Sequence, residues 1–148
     1  MFYIHEDLKW DRFNGQNNIE SLWLKAKLDG TYYVIGNIYR APSCDGEYYE
    51  SILNEIEVAF GCSNNVILLG DLNFDCMQSV NKHPIRNIEN LYGMKQLVTS
   101  PTRETAVSST LLDVILSSTP DSHVETKVLP ISMSDHYPIL TVLKCKQD

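Results

Sequence analysis

Three acids in this chain stand where burial makes a carboxylate costly. Asp71 follows the apolar run Val66-Ile67-Leu68-Leu69 and a glycine, and Asn73 comes two residues later. Asp113 sits inside Leu111-Leu112-Asp113-Val114-Ile115-Leu116, and Asp135 lies in Ser134-Asp135-His136, just ahead of the last apolar stretch. An isolated carboxylate taken out of water loses several kcal/mol of solvation or is forced to protonate. Such an acid therefore needs a partner or a task. Three acids, one Asn and one His make a kit for metal-assisted phosphoester chemistry. An oxygen-rich donor set favours Mg²⁺ over Zn²⁺.

Each candidate has a plainer alternative. Asp71 alone could be a turn aspartate. In a strand-like extension residues two apart point the same way, which would let Asp71 and Asn73 face one pocket. His136 alone could be a structural histidine. Beside an acid, a protonated imidazole would instead stabilise charge developing on phosphorus. Tyr39 reads as an amphipathic rim residue. Asp75 reads as a loop acid, Glu20 as structural, and His5, His83 and His123 as surface histidines. Trp23 and the tyrosines read mainly as core and rim.

These groups need strands and helices to position them. Leu22, Leu24, Ala26 and Leu28 alternate with Trp23, Lys25 and Lys27, a strand pattern. Asp29-Gly30 is a hairpin turn signal, and Tyr32 to Tyr39 is the return strand. Tyr49, Ile52, Leu53, Ile56 and Phe60 recur at helical spacing, which predicts a helix over Gly46 to Phe60. Val66 to Leu69 is a central strand. Pro84 to Tyr92 is a short helix stopped by Gly93. Leu111 to Ser117, Val124 to Leu129 and Tyr137 to Cys145 are three more strands. Residues 1–18 are polar and irregular, with Asn14 to Asn18 a loop. Strands dominate and two helices interleave, so the fold class is α/β (α+β), with two packed sheets and outer helices.

The chain's 148 residues suffice for one domain with a core. No apolar run reaches the roughly 18 residues of a membrane span, and no signal peptide pattern is present. Cys44, Cys62, Cys76 and Cys145 show no CxxC spacing and read as reduced thiols of an intracellular protein. A net charge of −7 argues against broad nonspecific duplex binding, although an acid-built cation site contributes to that charge. Arg40, Lys82, Arg86 and Arg103 still fall near the motifs.

Gly70-Asp71-Leu72-Asn73, Leu112-Asp113-Val114-Ile115 and Ser134-Asp135-His136 resemble, in this order, three motifs of the endonuclease/exonuclease/phosphatase superfamily. Ile19-Glu20-Ser21-Leu22-Trp23-Leu24, Gly36-Asn37-Ile38-Tyr39-Arg40-Ala41-Pro42-Ser43 and Ser100-Pro101-Thr102-Arg103 are similar to endonuclease domains of non-LTR (LINE-like, jockey-like) retrotransposons. The resemblance covers about Ile19 to the end. It implies a four-layer α/β sandwich and a Mg²⁺- or Mn²⁺-dependent DNA endonuclease, intracellular or nuclear in placement. It assigns Asp71 to orient or deprotonate the attacking water, Asn73 to hold a phosphate oxygen, and Asp113 to partner His136. Asp135 becomes a metal ligand and Tyr39 a phosphate contact, while Thr102, Arg40 and Ser134 bind substrate. The family has a catalytic Asn and a metal-binding Glu further upstream, so the 148 residues should form one domain that starts partway through the fold. An inactive fragment and a phosphatase of the same superfamily are the alternatives.

Overall fold

The computed structural model describes residues 1–13, 15 and 18–144. Residues 14, 16 and 17 of the expected loop lie outside the described residues, as does Cys145 at the expected end of the last strand.

The chain opens with β1 (Lys9–Phe13), a strand that the polar segment gave no pattern for. Four of its five residues are exposed, so it carries no apolar alternation. It forms by pairing antiparallel with β2 (Glu20–Leu28). β2 turns into β3 (Thr31–Tyr39) through Asp29 and Gly30, with φ of 49° and 78°. Positive φ at both positions matches the right-handed twist of the flanking strands. Helix α1 (Gly46–Cys62) then crosses over to β4 (Val66–Asp71), which pairs parallel to β3. Asp45 caps α1 by accepting from the Glu47 and Tyr48 amides. Helix α2 (Pro84–Tyr92) has Pro at its start and ends at Gly93, left-handed with φ 62°.

Short strands follow: β5 (Lys95–Gln96), β6 (Arg103–Glu104) and β7 (Ser109–Thr110). Then come β8 (Asp113–Ser117), β9 (His123–Val128) and β10 (Ile139–Leu143). The main sheet is mixed, in the order β1-β2-β3-β4-β8-β5, while β9 and β10 form a separate antiparallel pair and β6 and β7 another.

Register assigns the two faces of the main sheet. Trp23 pairs with Gly36, Gly36 with Leu68, and Leu68 with Leu116, so these four share a face. That face carries α1, because the Trp23 indole N–H donates to Glu55 of the helix at 2.8 Å. A Cβ on Gly36 would lie 2.4 Å from the Trp23 ring, so only glycine leaves room for the indole. Ile38, Ile52, Ile56, Leu68 and Leu116 are fully buried there, each contributing about 1.5–3 kcal/mol over exposure.

The opposite face carries Ile35, Ile67, Ile115 and Ser117. The β9–β10 pair covers it through Val128, Ile139 and Leu143. His123 of β9 bonds Ser117 at 2.8 Å and Thr141 of β10 at 2.6 Å. The fold is α+β, with helices on one face of a mixed sheet and a second strand pair on the other.

Candidate active site

Antiparallel register places the first two acids. Asp71 ends β4 directly opposite Asp113, which begins β8. Both point to the β9–β10 side by alternation. Gly70, before Asp71, has φ 139°, and a Cβ there would lie 1.9 Å from the Ile38 carbonyl oxygen. This approach of β4 to β3 requires glycine. Like charges directly opposite on paired strands repel. The Asp71 carboxyl is accordingly pushed above its ordinary value, first by burial and then by the Asp113 charge. The Asn73 amide, His136 and Arg103 pull the other way.

His136 completes the group. Its Nδ1 lies 2.7 Å from Asp113 Oδ2, and its Nε2 lies 3.9 Å from Asp71 Oδ2. The three side chains are 18–29% exposed, enough for a ligand to reach. With Nδ1–H donating to Asp113, the tautomer is set and Nε2 is aimed at Asp71 and the opening. The segment carrying His136 is tied down. Ser134 Oγ accepts from the His136 amide and donates to its carbonyl. Arg103 bridges His136 in β fashion, and the Tyr137 amide donates to the Thr102 carbonyl at 2.7 Å.

The structure gives several of the expected site residues partners within the protein itself. Thr102 is fully buried, and its Oγ accepts from the Leu112 and Asp113 amides at 3.0 and 3.1 Å. It therefore holds the entry to β8, and with it Asp113, in place. Arg40 is also buried: its guanidinium donates to the Leu72 and Cys44 carbonyls and stacks 4.1 Å from the Phe74 ring centre. That cation supports the loop after Asp71. Ser134 spends its hydroxyl on His136, so it too positions the histidine. Asp135 is exposed and paired with Arg103 through Nε at 3.1 Å and Nη2 at 3.0 Å, and it is outside the acid cluster that could hold a cation.

Asn73 keeps its neighbourhood but not the alternation argument. β4 stops at Asp71, and Asn73 is left-handed with φ 51°. Its amide donates to Asp71 Oδ1 at 3.0 Å and its Nδ2 to the Arg40 carbonyl at 2.7 Å. Tyr39 ends β3 on the face of Asp71, 42% exposed, and the next amide, Arg40 N–H, donates to the Asp71 carbonyl. Its hydroxyl-bearing ring stands on the rim of the site.

Sequence reasoning passed over three residues. Asp75 is more than a loop acid: its Oδ1 accepts from the Met77 and Leu111 amides. His83 is buried, capping α2 and bonding the Asp75 carbonyl. His123 is half-buried between the sheets. Asp-x-x-x-Asp spacing after a strand holds a signal for Asp75, since Asx side chains bond amides two residues on. The Leu111 partner is visible only in three dimensions.

Asp71, Asp113 and His136 each offer a ligand atom within 4.8 Å of the others. Asp113 Oδ2 and His136 Nδ1 already share a proton, leaving Asp71 Oδ2, the second Asp113 oxygen and Nε2 as donors. Two hard oxygens on side chains open to solvent suit a cation that keeps several waters. The group fits a divalent cation and, equally, a water or phosphate oxygen held between acid and imidazole.

Relatives share this architecture. The endonuclease domain of TRAS1, a telomere-specific non-LTR retrotransposon, superposes with a TM-score of 0.79 at 16% identity, covering 95% of this chain and 69% of that one. An endonuclease/exonuclease/phosphatase family protein from Leptotrichia buccalis gives 0.63 at 16% identity, over 94% and 61%. The 3′ phosphatase NExo from Neisseria, bound to product DNA hairpin, gives 0.57 at 14% identity, over 94% and 71%. No curated protein matches in sequence. A family model described as endonuclease-reverse transcriptase matches residues 33–140. The matched span runs from β3 to β10 and takes in the whole Asp71–Asp113–His136 group, and the chain belongs to that endonuclease-reverse transcriptase family.

Proposed function

We propose that this chain is a Mg²⁺- or Mn²⁺-dependent phosphodiesterase that nicks DNA, of the kind retrotransposons carry. The observation that supports this most is the His136 ring, bonded to Asp113 on one side and aimed at Asp71 on the other. Asp71, with its raised proton affinity, is suited to orient a water and take its proton. His136, held by Asp113 and protonated at Nε2 as well, donates that N–H to the non-bridging oxygen on which charge develops. Tyr39, on the rim of the same face, offers a hydroxyl to the phosphate. A bound divalent ion, held by Asp71 and the free Asp113 oxygen, would supply charge neutralisation at phosphorus. The net charge of −7 limits the DNA contact to the neighbourhood of the site. An intracellular, nuclear placement belongs to the same proposal, since chromosomal DNA is the substrate it names.

Nicking of supercoiled plasmid tests the proposal. The expected result is nicking in Mg²⁺ or Mn²⁺, none in EDTA, and loss in Asp71→Asn and His136→Ala. Equal nicking in EDTA, or by both variants, refutes it. Phosphate release from a monoester without nicking would assign the site to a phosphatase.

A further inference from the structure

We infer that Asp75 is a positioning residue for the Asp113–His136 dyad, acting through its carboxylate as a stand-in for a backbone carbonyl. This inference rests on the phosphodiesterase reading of the same site.

The β4–β8 ladder ends where Asp71 faces Asp113. Beyond it the two chains stay zipped by irregular bonds. The Leu72 amide donates to the Leu112 carbonyl at 3.2 Å, and the Cys76 amide to the Leu111 carbonyl at 2.9 Å. The amides of the β8 side cannot be answered the same way. β4 has ended, and Asn73 is turned left-handed. Three consecutive N–H groups, of Leu111, Leu112 and Asp113, therefore face away from any strand partner. Two side chains take all three. Asp75 Oδ1 accepts from Leu111 at 3.0 Å, and Thr102 Oγ accepts from Leu112 and Asp113.

Leu111 and Leu112 are buried, 4% and 8% exposed. An amide left without an acceptor there drives the segment to move. Asp75 is itself anchored twice more. Its Oδ1 also accepts from Met77 at 3.1 Å, and its carbonyl accepts from the buried His83 ring at 2.9 Å. The carboxylate thus joins the loop that follows the water-orienting Asp71 to the strand entry that carries the histidine's partner. That oxygen adds the Leu111 amide to the two backbone bonds that already hold the halves of the site together. Because the oxygen serves as an acceptor, its negative charge is dispensable. Asparagine carries the same oxygen on the same stem.

The test uses three forms of the whole chain: wild type, Asp75→Asn and Asp75→Ala. Plasmid nicking with Mg²⁺ is measured under saturating and subsaturating DNA. The Nδ1 proton of the His136–Asp113 bond is followed by NMR without substrate. We expect Asp75→Asn to keep wild-type kcat within about threefold and to keep the downfield Nδ1 proton. Asp75→Ala should lose kcat by about 10- to 100-fold, as for displacements near 1 Å. Its KM should stay unchanged and its Nδ1 proton should broaden or shift. Should Asp75→Ala not fold, Asp75→Asn alone decides. A folded Asp75→Asn with kcat down tenfold or more means that the charge matters and overturns the proposal. So does a folded Asp75→Ala with full kcat or an unmoved Nδ1 proton. Failure of the parent reading looks different: the wild type itself does not nick, while the Nδ1 proton still responds to Asp75→Ala.

Discussion

Asp113→Asn isolates what the dyad contributes. The variant keeps side-chain volume and can keep one hydrogen bond to His136 Nδ1, but it removes the anion 2.7 Å away. With charge centres about 4 Å apart and an effective dielectric of about 20, an ion pair gains roughly 4 kcal/mol. The neutral hydrogen bond left behind retains about 1 kcal/mol. The side chains are 18% and 29% exposed, so solvent screens part of the difference. A loss of about 2–3 kcal/mol remains, which at 1.36 kcal/mol per decade is a fall of about 30- to 150-fold in kcat. Binding of DNA should change little, because the charge matters only as the phosphorus becomes pentacoordinate. Single-turnover nicking of plasmid reads the rate, and circular dichroism confirms the fold. A folded Asp113→Asn with wild-type kcat would refute the reasoning, and so would a loss carried entirely in KM.

Other outcomes follow from the same geometry. Asp71 binds its proton more tightly folded than unfolded, so its ionised form disfavours the fold once pH rises through its raised value. Asp71→Asn should therefore be inactive yet melt higher at pH 7, by about 2–4 °C if the relief is near 1 kcal/mol. An unchanged or lower melting point contradicts the buried-charge argument. Activity should fall on acidification at a pH above that of an unperturbed aspartate, and Arg103→Met should move that limb further up, because Arg103 favours the ionised acid. A pH profile that stays put in the variant counts against Asp71 as the base. Burial holds His123 below its ordinary value, so stability present above about pH 6.5 is lost as pH falls through the lowered value. His123→Asn should flatten melting temperature against pH in that window. Thr102→Val should cost about 2–3 kcal/mol by orphaning two buried amides, while Thr102→Ser should melt near the wild type. Thermal denaturation distinguishes the two.

Periodicity alone made much of the scaffold legible. The hairpin at Asp29-Gly30, helix α1, the strand ahead of Asp71 and helix α2 with its Gly93 stop all follow from local patterns that require one backbone conformation each. The pairing of Asp113 with His136 came from the resemblance, and the 2.7 Å contact bears it out. Local pattern failed where a neighbour across the chain decides. β1 is a strand because β2 offers it an edge, and β5, β6 and β7 are too short to show alternation. Asn73 leaves the strand in a left-handed conformation, its Nδ2 bonded to the carbonyl of Arg40, 33 residues earlier. Thr102 and Arg40 carry polar groups that read as substrate contacts in a sequence, and tertiary packing turned both inward. Asp135 is an acid beside a histidine in the chain, but Arg103, 32 residues earlier, neutralises it. Asp75 shows the limit most directly. Its type and spacing announce a turn, whereas its second role depends on Leu111, 36 residues on, whose amide has no strand to bond. Residue types and short-range spacing determine which groups can do chemistry. Which of them meet substrate is decided by long-range pairing, because a buried polar atom must find its partner wherever the fold supplies one.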